Sequence, residues 1–335
     1  MYPPAVDLAQ KSVLVTGATG FIGRRVVARL LAEGCAVRAL VLPGETIAGL
    51  PEESIQIVRG SVADRAAVDR AVDGVDAVFH LAAVVGDWGE EELFRTVTVG
   101  GTHNVLAAAA AQGARAVLAS SIVVYGVAIG RGECREDQPF GRAPGLYSRS
   151  KQEQERIALR LADSSGLRIT ALRLANTYGP GSRPWVEMII DQMKSGAPAL
   201  IDGGRVNAGL CHVDNAAAAF VLAARTDAAA GRAYNIADGS DITWRRYFED
   251  LARIARCRPP RSLPAPAAKI AAYACEFVWS RLRLAGRPPV THEALNLVSS
   301  HHRIPIERAR TELGFDPVVR YDEAIAQIAE SLRTS

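Results

Sequence analysis

Three observations along the 335-residue chain predict an α/β fold in which helices cover both faces of a parallel, doubly wound sheet. Short runs rich in β-branched residues alternate with segments of helical spacing. A glycine-rich turn follows the first run and opens a helix. After residue 176 the alternation gives way to short elements and helices, which predicts a smaller C-terminal lobe.

Six strands are predicted before the lobe, at 12–17, 35–42, 54–60, 76–83, within 114–126 and at 167–175. The main helices between them are expected at 21–34, at 91–113 and from about Tyr147. In the lobe, helices are expected around 185–195, 214–225, 243–256, 266–284, 290–299 and 321–333. The strand-like segment 231–237 is expected to return to the main sheet.

Composition limits the function. The net charge of +3 and the scattered basic residues give no reason to expect a nucleic-acid partner. Five cysteines without a Cys-x-x-Cys pair fit reduced thiols in the cytoplasm, and no cluster has metal-ligand spacing. The N-terminus has no signal-peptide pattern, and no apolar run is long enough for an integral membrane segment. These features indicate a cytoplasmic protein that acts on a small molecule.

The turn "TGATGFIG" (16–23) places Gly17, Gly20 and Gly23 at three-residue intervals between a predicted strand and a predicted helix. Glycines there allow the backbone to approach a pyrophosphate, and the N-terminus of the helix offers free N–H groups to it. A plain tight turn is the alternative. The position after a strand favours dinucleotide binding, so we predict a dinucleotide-binding domain at 1–175, joined by 210–240, and a mostly substrate-binding lobe at 176–335.

Tyr147 and Lys151 form a Tyr-x-x-x-Lys pair in a chain with only four lysines and eight tyrosines. At this spacing the two side chains share one face of a helix. An ammonium beside a phenol stabilises phenolate and makes proton exchange easier near neutral pH. The alternative is an exposed helix pair without catalytic meaning.

The glycine turn, "DAVFHLAA", "SSIVVYG" and Tyr-x-x-x-Lys occur in an order that resembles the extended short-chain dehydrogenase/reductase superfamily, also called the NAD-dependent epimerase/dehydratase superfamily. The resemblance covers nearly the whole chain and is greatest to members like 3β-hydroxysteroid dehydrogenase. It implies a Rossmann-type fold, a homodimer, Tyr147 as general acid/base, Lys151 as the ribose-binding residue and Ser121, rather than Ser120, as the hydroxyl on the substrate oxygen. The cofactor-binding residues implied by the resemblance are Gly17, Thr19, Gly20, Phe21, Ile22, Gly23, Arg24, Ser61, Val62, Leu81, Ala82, Ala83, Tyr147 and Lys151.

The chain departs from the family pattern at Ser61, where an aspartate is common, and at Thr98, where an asparagine is common. NAD enzymes usually carry an acid at the end of the second strand. Here that end reads Val41-Leu42, and Glu45 is expected to lie too far along. Arg24 and Arg38 could meet a 2′-phosphate, so for the cofactor, NAD or NADP, the sequence leans to NADP.

The substrate class has two readings. Asn176 stands where nucleotide-sugar enzymes have an asparagine near the substrate diphosphate, yet Ala208 replaces the arginine that they often carry. The segment 266–299 resembles hydroxysteroid-dehydrogenase-like members and predicts either an apolar pocket wall or plain core packing. We therefore expect an NAD(P)-dependent oxidoreductase acting on a secondary alcohol or ketone, with a bulky apolar, hydroxysteroid-like substrate where the segment forms a pocket wall. The alternatives are a nucleotide-sugar epimerase or dehydratase with retained NAD and an inactive NAD(P)-binding protein.

Overall fold

The computed structural model describes residues 6–334, and the elements below lie within that range. The strands are β1 (Ser12–Thr16), β2 (Ala36–Val41), β3 (Ile55–Arg59), β4 (Ala77–His80), β5 (Arg115–Ser121), β6 (Gly132–Glu133), β7 (Ile169–Leu174), β8 (Asn176–Tyr178), β9 (Pro198–Ile201), β10 (Leu210–His212), β11 (Arg232–Ile236), β12 (Arg261–Leu263) and β13 (His302–Arg303). The α-helices are α1 (Phe21–Ala32), α2 (Arg65–Val72), α3 (Glu91–Leu93), α4 (Gly101–Ala111), α5 (Leu146–Ser165), α6 (Met188–Lys194), α7 (Val213–Arg225), α8 (Trp244–Ile254), α9 (Ala265–Leu282), α10 (His292–Ser299) and α11 (Tyr321–Thr334).

Seven strands within the described range form one parallel sheet in the order β11-β7-β5-β4-β1-β2-β3. From β1 the chain moves outward to β2 and β3, returns to β4 beside β1, and then moves outward in the other direction. The order of strands therefore reverses between β1 and β4. In such sheets ligands bind at this reversal, outside the carboxyl ends of the strands. The turn after β1 and the loop after β4 both open into that crevice.

Helices cover both faces of the sheet, as the alternating pattern predicts. Helices α1 and α7 pack together on one face, and α2, α4 and α5 pack on the other. In β1, Val13 and Val15 join the core beneath the first layer, whereas Leu14 joins the core beneath the second. A strand buried on both faces reads as a continuous apolar run, which is why "SVLVT" shows no polar alternation. The predicted fold class is confirmed.

The C-terminal lobe has its own core beside the sheet. Trp244, Tyr247 and Phe248 of α8 pack with α6 and α11. Three short parallel pairs, β8 with β10, β9 with β12 and β6 with β13, connect its loops. The segment 232–236 is β11 and pairs with β7 at the edge of the main sheet. The division into a domain ending at 175 and a lobe starting at 176 stays a prediction.

Helix α9 presents its apolar side chains outward. Ala268 and Ala272 are buried against α10, but Ile270 is 70 % exposed and Tyr273 and Phe277 are each 69 % exposed. Plain core packing therefore does not account for the apolar residues of this helix. Among the described residues, no helix combines the length and apolar character needed to cross a membrane.

A buried ion pair joins α5 to the sheet. Glu155 of α5 and Arg173 of β7 expose only 3 % and 5 % of their side chains, and Arg173 Nη2 lies 2.9 Å from Glu155 Oε2. Arg173 Nε donates to both carboxylate oxygens, at 3.1 and 3.2 Å, and Nη1 donates to Tyr125 Oη at 3.0 Å. Glu155 Oε1 also accepts a hydrogen bond from the hydroxyl of Ser120 in β5. One carboxylate thus connects α5, β5 and β7.

Replacing Glu155 with glutamine should destabilise the fold by about 3–5 kcal/mol, because it leaves the Arg173 guanidinium buried without a counter-charge. The free energy of unfolding, measured by urea titration, tests this. Glu153→Gln is the matched control. Its carboxylate pairs with Arg156 and Arg160 on the outer side of the same helix, and exposed pairs of this kind contribute about 0–1 kcal/mol. Equal losses in the two variants would contradict a special role for the buried pair.

Candidate active site

The glycine turn is built by close backbone packing. Gly17 has a φ of +69°, and a Cβ there would lie 2.9 Å from Ala82 N in the loop after β4. A Cβ at Gly23 would lie 2.0 Å from Gly17 O, so the first turn of α1 can sit against the turn only without a side chain. Two of the three glycines are therefore required by the packing of strand, turn and helix.

Gly20 differs from the other two glycines. It is exposed, it caps the N-terminus of α1 with an extended backbone, and a Cβ there would meet only Gly17 O, at 3.2 Å. The space around Gly20 is therefore open next to the first turn of α1, where Phe21, Ile22 and Gly23 present their backbone N–H groups. Such N–H groups have no partner within the helix and favour an anion. This cradle fits the pyrophosphate of a dinucleotide, as the sequence predicts.

Two further segments carry cofactor residues that the sequence predicts. Ala82 N donates to Thr16 Oγ1 at 3.2 Å, which draws the start of the segment Leu81-Ala82-Ala83 against the end of β1. Val62 is buried against Gly101, while Ser61 is half-buried and its hydroxyl accepts from Ala63 N at 3.2 Å. Asp64 does not replace the aspartate missing at 61, because its carboxylate caps α2 at Ala66 N.

The end of β2 differs from our expectation. Glu45 does reach the glycine turn, since its Oε1 accepts a hydrogen bond from Thr19 Oγ1 at 2.7 Å. Arg24 lies on the other side of Thr19 and donates from Nε to Thr19 O at 2.8 Å. Arg38 points elsewhere and donates to the carbonyl oxygens of Ala71 and Asp73. A carboxylate and a guanidinium, rather than two arginines, therefore flank the turn.

Helix α5 carries the predicted catalytic pair into the crevice. Tyr147 is half-buried, Lys151 is buried one turn later, and Lys151 Nζ lies 5.8 Å from the centre of the Tyr147 ring. Lys151 Nζ donates to Ala119 O, near the end of β5, at 2.9 Å. Because an ammonium has three donors, the remaining ones are available for other acceptors, such as ribose hydroxyls.

Burial sets the protonation of the pair. It raises the pKa of Tyr147 to about 12; the carboxylate of Glu293 acts in the same direction, and a hydrogen bond with Ser121 acts against both. Burial lowers the pKa of Lys151 to about 8, although Glu155 opposes that shift. At neutral pH the phenol thus keeps its proton and the ammonium keeps its charge. This shift is opposite to the lowering expected from the neighbouring ammonium, because burial and the charge of Glu293 dominate the pKa of Tyr147.

The two adjacent serines have separate roles. Ser121 ends β5, and its hydroxyl interacts with the Tyr147 phenol and with Val123 N. Ser120 points to the other side of the strand and donates to Glu155. The structure therefore brings Ser121, Tyr147 and Lys151 together and places Ser120 in the ion-pair network.

Thr98 stands where the family pattern has asparagine. It lies in a π-helical segment, Phe94–Gly100, that packs against α5. Its buried hydroxyl accepts from Val84 N at 2.9 Å and so fixes the loop after β4. Nearby, His80 is hydrogen-bonded to Thr16 and Thr102, and burial, together with the charge of Lys151, lowers the pKa of His80 to about 3. His80 is therefore a neutral structural bridge.

The predicted substrate residue Asn176 is buried in β8. Its side-chain amide donates to Ala208 O at 2.7 Å, which leaves one N–H and the carbonyl oxygen for a substrate. Ala208 is itself buried and carries no charge at the position where the family often has an arginine. His212 caps α7 through Nδ1, which accepts from Asp214 N at 3.3 Å. In the part of the chain that the structure describes, no group of His, Cys, Asp or Glu could hold a metal ion.

Two acidic residues near the site were not found by sequence reasoning. Glu293 of α10 accepts hydrogen bonds from the backbone and hydroxyl of Ser148, next to Tyr147. Asp87, in the loop after β4, is held by Arg287 at 2.5 and 2.6 Å and by the hydroxyl of Thr291. Both contacts join the lobe to the sheet domain over more than 140 residues of sequence, and no local pattern indicates them.

Comparison with known proteins fits this geometry. A family model described as "NAD dependent epimerase/dehydratase family" matches residues 13–237. The 2-alkyl-3-oxoalkanoate reductase of Stenotrophomonas maltophilia is 32 % identical over 95 % of this chain and 98 % of its own length. A 3β-hydroxysteroid dehydrogenase/Δ5→4-isomerase of Mycobacterium tuberculosis is 28 % identical over 94 % of this chain and 88 % of its own.

Solved structures show the same fold over nearly the full length. The structure of gox2253 superposes with a TM-score of 0.80 at 27 % identity and covers 97 % of this chain and 98 % of its own. The structure of MoeE5 with UDP-glucose and NAD has a TM-score of 0.75 at 26 % identity, over 96 % and 99 % of the two chains. With its glycine turn, its Tyr147/Lys151 pair and a family model that spans most of its length, this chain belongs to the NAD-dependent epimerase/dehydratase family.

Proposed function

We propose that this protein catalyses hydride transfer between a nicotinamide cofactor and the carbonyl carbon of a bulky apolar ketone, or the corresponding secondary alcohol in reverse. The observation that carries the proposal is the placement of Ser121, Tyr147 and Lys151 in the crevice that also holds the glycine turn. The intact set argues against an inactive binding protein. A cytoplasmic homodimer without a nucleic-acid partner remains our expectation.

A nicotinamide bound in the crevice would supply or accept the hydride. The residues of the chain bind the substrate oxygen and transfer its proton. Tyr147 Oη donates its proton to the carbonyl oxygen during reduction. Ser121 Oγ hydrogen-bonds the same oxygen and holds it near the phenol. Lys151 stabilises the phenolate that is left, because its ammonium remains protonated at neutral pH and lies close to the ring.

The apolar substrate class is supported by α9 and by what surrounds it. Tyr273 of α9 packs edge-on against His292 with ring centres 4.0 Å apart, and the next residue, Glu293, touches the first turn of α5. The exposed apolar face of α9 thus continues from the structure around Tyr147. Relatives named for oxoalkanoate and hydroxysteroid substrates support the same class.

A nucleotide-sugar epimerase or dehydratase with retained NAD is the second candidate. The structure of MoeE5 with UDP-glucose and NAD favours it, since the two chains align over almost their full lengths. Buried Ala208 speaks against it, because a substrate diphosphate usually needs Arg or Lys contacts. We therefore place it behind the apolar ketone.

For the cofactor, we infer a preference for NAD. The sequence leans to NADP on the strength of Arg24 and Arg38, but Arg38 is committed to the backbone of Ala71 and Asp73. Glu45 lies 22 residues after Gly23 and contacts Thr19, which corresponds to the acid that binds ribose hydroxyls in NAD enzymes. Its charge would repel a 2′-phosphate, whereas Arg24 would attract one. The balance of these two side chains sets the choice.

Replacing Tyr147 with phenylalanine should lower kcat at least ~100-fold and leave cofactor affinity nearly unchanged, because only the proton donor is lost. Lys151→Ala should weaken both, and Lys151→Arg should not restore them, since a planar guanidinium does not fit a buried site shaped for a point charge. Steady-state rates and calorimetric titration with NAD measure these effects. Near-normal turnover in Tyr147→Phe would remove Tyr147 from the reaction.

Substrate class is tested with a panel in the presence of NAD. Hydroxysteroids and long-chain 3-ketones should bind and turn over, and UDP- and dTDP-sugars should do neither. Phe277→Ser should lower kcat/KM for the long substrates about tenfold and leave a short ketone unaffected, because the lost contact is apolar area away from the carbonyl. Leu332→Ser, an exposed apolar residue on α11, is the control. Tight binding of UDP or dTDP alone would favour the epimerase.

Removing the charge of Glu45 should raise the affinity for NADP relative to NAD about tenfold, because one like charge next to the 2′-phosphate disappears. Glutamine at 45 keeps an acceptor for Thr19 and so preserves the turn. In the double variant Glu45→Gln/Arg24→Gln the gain should be lost. Dissociation constants for both cofactors measure the ratio, and an unchanged ratio in Glu45→Gln would show that this carboxylate does not select the cofactor.

A further inference from the structure

The carboxylate of Glu293 caps the first turn of the helix that carries Tyr147. Glu293 is the second residue of α10 and is 3 % exposed. Its Oε1 accepts from Ser148 N at 2.6 Å and from the Ser148 hydroxyl. Because Ser148 directly follows Tyr147, a residue of the lobe holds the backbone of the predicted acid/base.

The chain makes room for this carboxylate at Gly145. Gly145 is the N-cap of α5 and has an extended backbone, with a φ of −153°, which any residue can adopt. A Cβ there, however, would lie 2.2 Å from Glu293 Oε2 and 3.0 Å from the carboxyl carbon. Glycine at this position therefore serves the close approach of Glu293 and not the backbone conformation.

No cation neutralises Glu293 within the described residues. Its Oε2 is buried and has no hydrogen-bond partner there. The titratable and charged groups that act on Glu293 or lie next to it are Tyr147 on α5, Asp87 with its partner Arg287, and His292 with its partner Glu276. Arg287 is paired with Asp87 and His292 with Glu276, so neither forms an ion pair with Glu293. The helix N-terminus and Ser148 are thus its main stabilising partners.

The charge of this carboxylate acts on the phenol beside it. Burial raises the pKa of Glu293 to about 7, and Asp87 acts in the same direction against the bonds from Ser148. Ionised Glu293 is one of the two causes that raise the pKa of Tyr147. As pH rises through neutrality, Glu293 becomes charged and opposes phenolate, so Tyr147 keeps its proton to a higher pH.

We propose that Glu293 is a positioning residue that fixes the first turn of α5 and, by its charge, opposes ionisation of the Tyr147 phenol beside it. The inference rests on the proposed function, in which Tyr147 is the acid/base. It assigns to the lobe a part in the chemistry in addition to substrate binding.

The test is the alkaline titration of the Tyr147 phenol in Glu293→Gln, followed by the ultraviolet absorbance of phenolate that is lost in Tyr147→Phe. Glutamine keeps a carbonyl oxygen for Ser148 N but carries no charge. The midpoint of this titration should fall by about one unit, with cofactor affinity unchanged. The alkaline limb of the activity profile should stay in place, because it follows Lys151, whose pKa is about 8. Glu153→Gln removes the same charge from the outer side of α5 and should leave the midpoint of Tyr147 in place.

Two further variants cover the case in which Glu293→Gln does not fold. Glu293→Asp keeps the charge with a shorter reach, so kcat should fall several-fold while the midpoint of the Tyr147 titration stays near that of the wild type. Gly145→Ala should lower kcat without changing the Kd for the cofactor, because it displaces the carboxylate from Ser148. In the double variant Gly145→Ala/Glu293→Asp the shorter acid should restore part of the loss.

The outcomes separate the two proposals. If Tyr147→Phe is inactive and the Tyr147 midpoint is the same in Glu293→Gln as in the wild type, the inference about Glu293 is wrong and the proposed function stands. If Tyr147→Phe remains active, both are wrong. A shift of the midpoint in Glu153→Gln equal to that in Glu293→Gln would also overturn the inference, since a general change in charge would then explain it.

Discussion

The arrangement of the active crevice depends on the ion pair between Glu155 and Arg173. Two charges removed from water cost several kcal/mol each, so they are stable only in a geometry that satisfies them fully. That geometry fixes how far along the sheet α5 lies and how it is rotated about its axis. Lys151 is one turn before Glu155, and Ser120, adjacent to Ser121, donates to the same carboxylate. A single interaction therefore connects the helix that carries Tyr147 and Lys151 with the strand that ends at Ser121.

The loop after β4 is held in place by hydrogen bonds from both parts of the chain. Thr98 holds the loop at Val84 from the side of the sheet, and Arg287 and Thr291 hold it at Asp87 from the side of the lobe. The short hydroxyl of Thr98 accepts this hydrogen bond from the backbone, although the family pattern has the longer side chain of asparagine at this position. The π-helical segment around Thr98 is wider than an α-helix, and such segments are frequent at functional sites.

Much of the fold and the centre of the site follow from local sequence, whereas the contacts between lobe and sheet do not. The strands, the glycine turn and Tyr147/Lys151 were predictable because short-range periodicity and spacing determine them. Glu293 and Asp87 could not be found in this way, since each acts across more than 140 residues and depends on how the lobe docks. The distance along the chain predicts that Glu45 lies too far away, and this is wrong because the loop after β2 turns back towards Thr19. The apolar pattern of 266–284 predicts helix α9 but does not predict which side of the helix is exposed to water.

Gly145 and Glu293 have a consequence for the evolution of this chain. The two positions are 148 residues apart in the sequence, yet a side chain at one excludes a long acid at the other. A lineage that gains alanine at 145 must first, or at the same time, shorten or lose the acid at 293, and with it the bond to Ser148. The pair should therefore change together among descendants of this protein, and homologues without the glycine should cap the catalytic helix by other means.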